Sequence, residues 1–500
     1  MSSPRGLRRH RSNARSAVLA ATTVAVVLLM AGCPTVPSST TTTTLPAATT
    51  GPGTVGPLAL GVNLASWDAL YTGASVAPIN GLFEAAGLRL VRYPGGSFAD
   101  EYDWSANTDS SKCTGAVTTA CSRHDPLGFD LFAAEAHSAG ASTFVTVDYG
   151  SGTPAEAAGW VAHATSGKDT AVALWEVGNE AYSCYETNQH LSEGPTYVHG
   201  YSPGGSVCPA TTVMARSYSV NALPYLRAMK KADPAARIGV PWAFSGAVAN
   251  GAGVSDADTW NADVLHALSS DISFVDAHWY PFDKTSGVSD QQILASVRRI
   301  PSAADHLRST LHRYKPNATY VVGETNISER PGTYDFQPVS ALFAAATSLE
   351  WLSAGAESVD WWDLNNFGTP TTGDFGLVSS GGPESGAAGS PYPPYYGYEL
   401  ASMLASPGSR LRAIAIAPSS VLGFESDLQG QRSVLLVNAA PNRQSIIAPS
   451  WFKPGLQIQT ETYSAETSAD PEPIVGSTAS AAATVPLPAE SIVVLRGTAA

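Results

Sequence analysis

The chain has 500 residues, of which 44% are hydrophobic and only 14% charged, with 45 glycines and 35 prolines. That balance excludes an intrinsically disordered chain and provides ample length for a large buried core. A formal net charge of −14 argues against binding nucleic acid or anionic lipid through charge and leaves neutral partners as the better match.

The chain begins with Arg5, Arg8, Arg9, Arg11 and Arg15, followed by an almost purely apolar run over 17–30. A basic start and a short apolar run read as a targeting signal, and the run is short for a transmembrane helix. It ends in Met30-Ala31-Gly32-Cys33, which resembles a bacterial lipobox. On this reading residues 1–32 are a signal peptide and Cys33 is acylated. The rest of the chain is then extracytoplasmic, a cell-surface or secreted protein touching the membrane only through the anchor. Residues 33–57 are rich in Thr, Ser and Pro and form a tether, since such a stretch cannot bury enough apolar surface to fold. The cysteines left after acylation, Cys113, Cys121, Cys184 and Cys208, are an even set for an oxidising compartment and are expected in disulfides. Four cysteines allow three pairings; Cys113–Cys121 with Cys184–Cys208 closes the shortest loops. No Cys-x-x-Cys or His-rich spacing points to a metal, and no nucleotide or flavin fingerprint points to a cofactor.

From residue 58 onward, short β-type runs alternate with helical patterns. The runs cover 58–64, 88–93, 142–149, 173–177, 237–240, 274–278, 319–323 and 358–364. Helices are predicted over 130–139, 211–231, 291–314, 339–354 and 395–404. Eight strands, each followed by a helix or long loop, spell an α/β fold, a (β/α)8 TIM barrel over 58–406. A doubly wound sheet would need a Gly-rich turn after its first strand, and there is none. Residues 407–500 carry only short β-type runs between Pro, Gly and Ser, which predicts a C-terminal antiparallel β-sandwich packed on the barrel.

Barrel enzymes carry their chemistry at the C-terminal ends of the strands. Trp175-Glu176-Val177-Gly178-Asn179-Glu180 ends the fourth run and Val321-Val322-Gly323-Glu324-Thr325-Asn326 the seventh. Each sets a carboxylate at the barrel mouth, and two carboxyls across a cleft suit glycosidic bond cleavage. Asn179-Glu180 and Glu324 at these places resemble glycoside hydrolase clan A. Leu90-Val91-Arg92-Tyr93-Pro94-Gly95-Gly96 after the second strand and His278-Trp279-Tyr280 after the sixth are similar to its arabinofuranosidase, xylosidase and heparanase-like families, numbered 51, 39 and 79. The resemblance runs from residue 58 to the C-terminus. It departs at Gly323-Glu324-Thr325-Asn326, which lacks the Glu-Trp pattern of many arabinofuranosidases and leaves the sugar open.

The resemblance implies a retaining glycoside hydrolase acting on carbohydrate, with Glu180 as acid/base and Glu324 as nucleophile. It implies substrate contacts at Asn179, Arg92, His278, Tyr280, Trp362 and Asn365. Asn179 would hold the sugar 2-hydroxyl, Trp362 would form a platform and Asn365 a polar contact. Glu176 lies on the same strand face as Glu180 and is expected to point into the barrel and pair there. Aromatic strand ends also cap barrel cores, so Trp362 and Tyr280 have a packing role as an alternative. The function from another class is a non-catalytic glycan-binding lipoprotein. Within enzymes, uronidase-like and endo-acting cleavage compete, and residues 182–209 after the acid/base are the candidate specificity loop.

Overall fold

Residues of one strand face recur at i and i+2, and that periodicity organises the interior of this molecule. The computed structural model describes residues 53–109, 125–167, 169–184, 186–191, 209–246, 256–366, 368–453, 456–470 and 473–498. The signal, Cys33, most of the tether, and Cys113, Cys121 and Cys208 lie outside the described residues. Cys184 is disulfide-bonded, and its partner also lies outside them.

Eight strands form a closed parallel barrel: β1 (Leu60–Asn63), β2 (Leu90–Tyr93), β3 (Ser142–Val147), β4 (Leu174–Val177), β5 (Ile238–Trp242), β6 (Phe274–Trp279), β7 (Thr319–Thr325) and β8 (Val359–Trp361). Each pairs with the next in sequence, and β8 returns to β1 with Val359 opposite Leu60. A helix follows every strand: Val76–Ala85, Phe129–Ser138, Pro154–Ser166, Thr211–Ala232, Ala257–Leu268, Ile300–Tyr314, Pro338–Ser353 and Pro393–Ser402 in turn. The helix predicted as unbroken over 291–314 is instead Asp290–Ser296, a 3-10 turn Val297–Arg299, and Ile300–Tyr314. Pro301 is the physical reason. It lacks an N–H and fits only the first turn of a helix, so a new helix starts there.

Inside the barrel the i, i+2 rule stacks side chains in layers. Leu90, Phe144, Leu174, Phe274 and Val321 form a buried apolar floor. Two residues further along their strands stand Arg92, Thr146, Glu176 and Asp276, also buried. His278 follows Asp276 by one more repeat, and Tyr280 follows His278. The interior therefore turns from oily to ionic along its axis, and the ionic end is the C-terminal mouth.

Six C-terminal strands and Gly53–Thr54 build a seven-stranded sheet in the order Gly53–Thr54, Arg410–Ile414, Val421–Leu428, Gln431–Asn438, Ser491–Thr498, Gln457–Ser464, Val475–Ser480. The end of the segment expected to be a tether is therefore paired instead, with Val55 buried beside it. A two-stranded sheet, Gln444–Ile447 with Thr484–Leu487, covers one face. Val434 and Leu436 point to that covering layer, whereas Leu435 and Val437 join the large barrel core. Burial on both faces explains why this strand reads as an unbroken apolar run.

Candidate active site

The fourth strand ends in a sharp turn that aims Glu180 across the mouth. Gly178 has φ +77°, and a Cβ there would lie 2.8 Å from the Tyr149 Cβ, so glycine is required. Glu180 itself sits at φ +37°, a strained value for a residue with a side chain. The Asp100 carboxylate pins the turn. Its Oδ1 accepts from the amides of Tyr149 (3.3 Å) and Gly150 (3.2 Å), and its Oδ2 from that of Asn179 (3.2 Å).

Opposite, Glu324 on β7 is gripped from two sides. Arg92 Nη1 donates to its Oε1 at 2.7 Å and the Tyr280 hydroxyl to its Oε2 at 2.7 Å. The same guanidinium donates through Nη2 to Glu176 Oε2 at 3.0 Å and to Asn179 Oδ1 at 2.9 Å. Asn63 completes the frame: its Oδ1 accepts from Arg92 Nη1 at 3.1 Å, and its amide nitrogen donates to the carbonyls of Gly323 (2.8 Å) and Trp361 (3.2 Å).

His278 bridges the two carboxylates, with Nδ1 2.8 Å from Glu180 Oε1 and 3.5 Å from Glu324 Oε2. Its Nε2 lies 3.4 Å from Asp276. Burial disfavours the imidazolium, but Glu324, Asp276 and Glu180 together outweigh it and hold the His278 pKa well above the usual value. Glu176 moves up to about 8, because burial and the neighbouring Asp276 exceed the pull of Arg92.

Above this layer opens a cavity of about 890 Å³. Trp67, Phe98, Trp362 and Phe375 give it aromatic walls, and Asn179, Glu180, Tyr280 and Glu324 face it. Trp362 closes down on the double glycine of the second-strand motif. A Cβ on Gly96 would come within 2.6 Å of the indole.

The structure thus brings Glu180, Glu324, Asn179, Tyr280 and Trp362 to one cavity. Arg92 and His278, expected to bind substrate, lie one layer beneath, where they hold the carboxylates. Asn365 does not reach the cavity. Its nitrogen donates to Asp68 Oδ2 at 2.6 Å and its oxygen accepts from Ser380 at 2.8 Å, so both ends of the amide are used, and Asn366 lines the cavity instead. Glu176 points inward and pairs with Arg92, accepting also from Thr146 at 3.0 Å. Sequence reasoning missed Asn63, Trp67, Asp100, Glu186 and Asp276. Asp276 was signalled by its i, i+2 relation to His278, and Asn63 by its place at a strand end; nothing marked Asp100. The sets Glu176–Asp276–His278 and Glu180–His278–Glu324 are each close enough to share an ion, their ligand atoms lying within 4.8 Å of one another. The Arg92 guanidinium already supplies the countercharge to Glu176 and Glu324.

No protein-family model matches the chain, and no curated protein matches it. Its fold is shared with solved structures. A family 51 α-L-arabinofuranosidase from Bifidobacterium longum aligns over 90% of this chain and 97% of its own, at 14% identity and a TM-score of 0.62. An α-L-arabinofuranosidase from Thermotoga maritima, solved with arabinose, aligns over 89% and 98%, at 14% identity and 0.63. A family 44 xyloglucanase from Paenibacillus polymyxa aligns over 89% and 97%, at 11% identity and 0.59.

Proposed function

We propose that this chain, built on the barrel-and-sheet fold of the family 51 and family 44 glycoside hydrolases, is itself a retaining O-glycosyl hydrolase of neutral sugars. The observation that carries this reading is the spacing of the two carboxylates, whose facing oxygens lie within 4.8 Å of each other across His278. Retaining enzymes hold their carboxyls about 5–5.5 Å apart, and inverting ones about 6.5–9.5 Å, to admit a water.

The mechanism follows from the contacts. Glu324 attacks the anomeric carbon as the glycosidic C–O bond breaks, and Glu180 gives its proton to the departing oxygen. Water then attacks the same carbon, Glu180 takes its proton, and the bond to Glu324 breaks. Arg92 and Tyr280 orient Glu324, while Asn179, its oxygen fixed by Arg92, turns its nitrogen toward the sugar 2-hydroxyl.

The lining supports a neutral substrate. Asp125, Glu180, Asp283, Glu324 and Glu329 face the cavity, and among the described lining residues the one cation is Arg330, itself 3.0 Å from Asp283. A uronate would meet like charge there, which argues against a uronidase. Structural neighbours named as arabinofuranosidases and as a bifunctional glucanase-xylanase make arabinosides and xylosides the first substrates to test. The lipobox-like Cys33 and the tether would hold the barrel outside the cell, near extracellular oligo- or polysaccharide.

The test is covalent trapping. A 2-deoxy-2-fluoro aryl glycoside of the cleaved sugar should inactivate the enzyme, and peptide mass mapping should find the sugar on Glu324. Label on another residue, or none from an enzyme that turns over the parent glycoside, contradicts the assignment.

A further inference from the structure

Glu186 stands in the cavity wall just beyond the acid/base turn, in the described part of the candidate specificity loop. It is 5% exposed. Its Oε1 accepts from the Ser97 hydroxyl at 2.8 Å and from Asn179 Nδ2 at 3.5 Å. Two elements therefore fix its orientation: the loop after β2 and the turn after β4. Its Oε2 is buried and has no hydrogen-bond partner among the described residues. Buried polar atoms are rarely left without a partner, and Glu186 belongs to the wall of the cavity.

We propose that Glu186 is a sugar-recognition residue of this pocket, its carboxyl turning on sugar binding so that Oε2 bonds a ring hydroxyl other than the one held by Asn179. The inference rests on the glycosidase reading and deepens it. Asn179 is clamped between Arg92 and Glu186, so the two groups offered to the sugar, Asn179 Nδ2 and Glu186 Oε2, are neighbours that reach different hydroxyls. Burial, with Glu180 and Glu324 nearby, pushes the Glu186 carboxyl well above its ordinary pKa against the bond from Ser97. A carboxyl that holds its proton both donates and accepts, as a hydroxyl does.

The test uses monodeoxy aryl glycosides of the cleaved sugar with the wild type, Glu186→Gln and Glu186→Ala. Removing one hydroxyl other than the 2-hydroxyl should cost the wild type about 10²-fold or more in kcat/KM. In Glu186→Ala the parent substrate should lose a comparable factor, and the further loss for that deoxy substrate should shrink to about threefold or less. The 2-deoxy penalty should persist in both variants, and Glu186→Gln, which keeps the volume and one acceptor, should recover part of the activity. Unchanged penalties at every position in Glu186→Ala overturn the proposal. So does loss of the 2-deoxy penalty alone, which would mean that Glu186 acts only through Asn179. Calorimetric titration with free arabinose, xylose and galactose separates the two claims. If the wild type cleaves nothing yet binds one of these sugars, and Glu186→Ala weakens binding about tenfold or more, recognition by Glu186 stands and hydrolysis falls. Binding unaffected by Glu186→Ala, or no binding and no cleavage at all, overturns the recognition role.

Discussion

Glu180 and Glu324 share one imidazole but are otherwise supported unequally, and the difference predicts how their variants fail. Glu324 is bonded by Arg92 and Tyr280, which fix its carboxylate in one place. Glu180 is bonded instead by His278 and by the Tyr182 hydroxyl, without the arginine that holds Glu324. Glu324→Ala should lose about 10⁴-fold or more on every substrate, and azide should restore turnover with inverted product. Glu180→Ala should still be glycosylated by substrates with activated aryl leaving groups, then stall; azide should speed that second step and give retained product. The two patterns reversed would exchange the roles. The place of these two residues at the mouth was legible because strand ends have a fixed position in a barrel. Asn365 was misread because the chain beyond β8 no longer follows the strand's alternation, and Asp68 and Ser380 take both ends of its amide. Glu186 was named only as part of a loop, since no periodicity says which residue of an irregular segment turns inward.

At the scale of elements, the site depends on how the turn after β4 is held. Asp100, from the segment after β2, ties that turn to the loop after β3, accepting from the amide of Asn179 in the one and from those of Tyr149 and Gly150 in the other. Asp100→Asn would set an amide nitrogen against one of those N–H groups and loosen the turn that carries Glu180. With misplacements of about 1 Å costing about 10²-fold, kcat should fall about tenfold to a hundredfold. The far-ultraviolet circular dichroism should stay native. An unchanged kcat in a folded variant would show that Gly178 and the strand alone set the turn. The strands themselves were readable from apolar runs and β-branched content, and so was the split into barrel and sheet. The broken helix around Pro301 and the strands Arg410–Ile414, Gln444–Ile447 and Val475–Ser480 were not. The first is a local proline rule hidden within a good helical pattern. The strands are mostly exposed or partly buried, so neighbouring strands rather than their own hydrophobicity define them.

Among the described residues more carboxyl groups are buried than are paired with cations, and the stability of the fold should record this. Burial is the main cause of the raised pKa values of Asp68 (about 6), Glu350 (about 7), Asp148 (about 8) and Glu176 (about 8). In the unfolded chain these groups return to 3.8 or 4.5, the ordinary Asp and Glu values. Between those limits the folded state binds more protons than the unfolded one. Their contribution is therefore fully present at low pH and lost as pH rises through about 6 to 8. The raised His278 and the repulsion within a chain of net charge −14 act in the same direction. Tm should accordingly rise as the buffer is taken from about pH 8 to about pH 6, by several degrees for a domain of this size. A Tm that is flat or falls over that interval would mean that these carboxyls are ionised and paired in the fold.

In the function proposed above, two carboxylates on one barrel mouth cleave a glycosidic bond by two successive displacements. Proton NMR of the first minutes of hydrolysis, before mutarotation, reads the stereochemical outcome directly. The close approach of Glu180 and Glu324 predicts a first-formed sugar with the anomeric configuration of the substrate. A first product of inverted configuration would contradict the double displacement and require a water between Glu324 and the anomeric carbon.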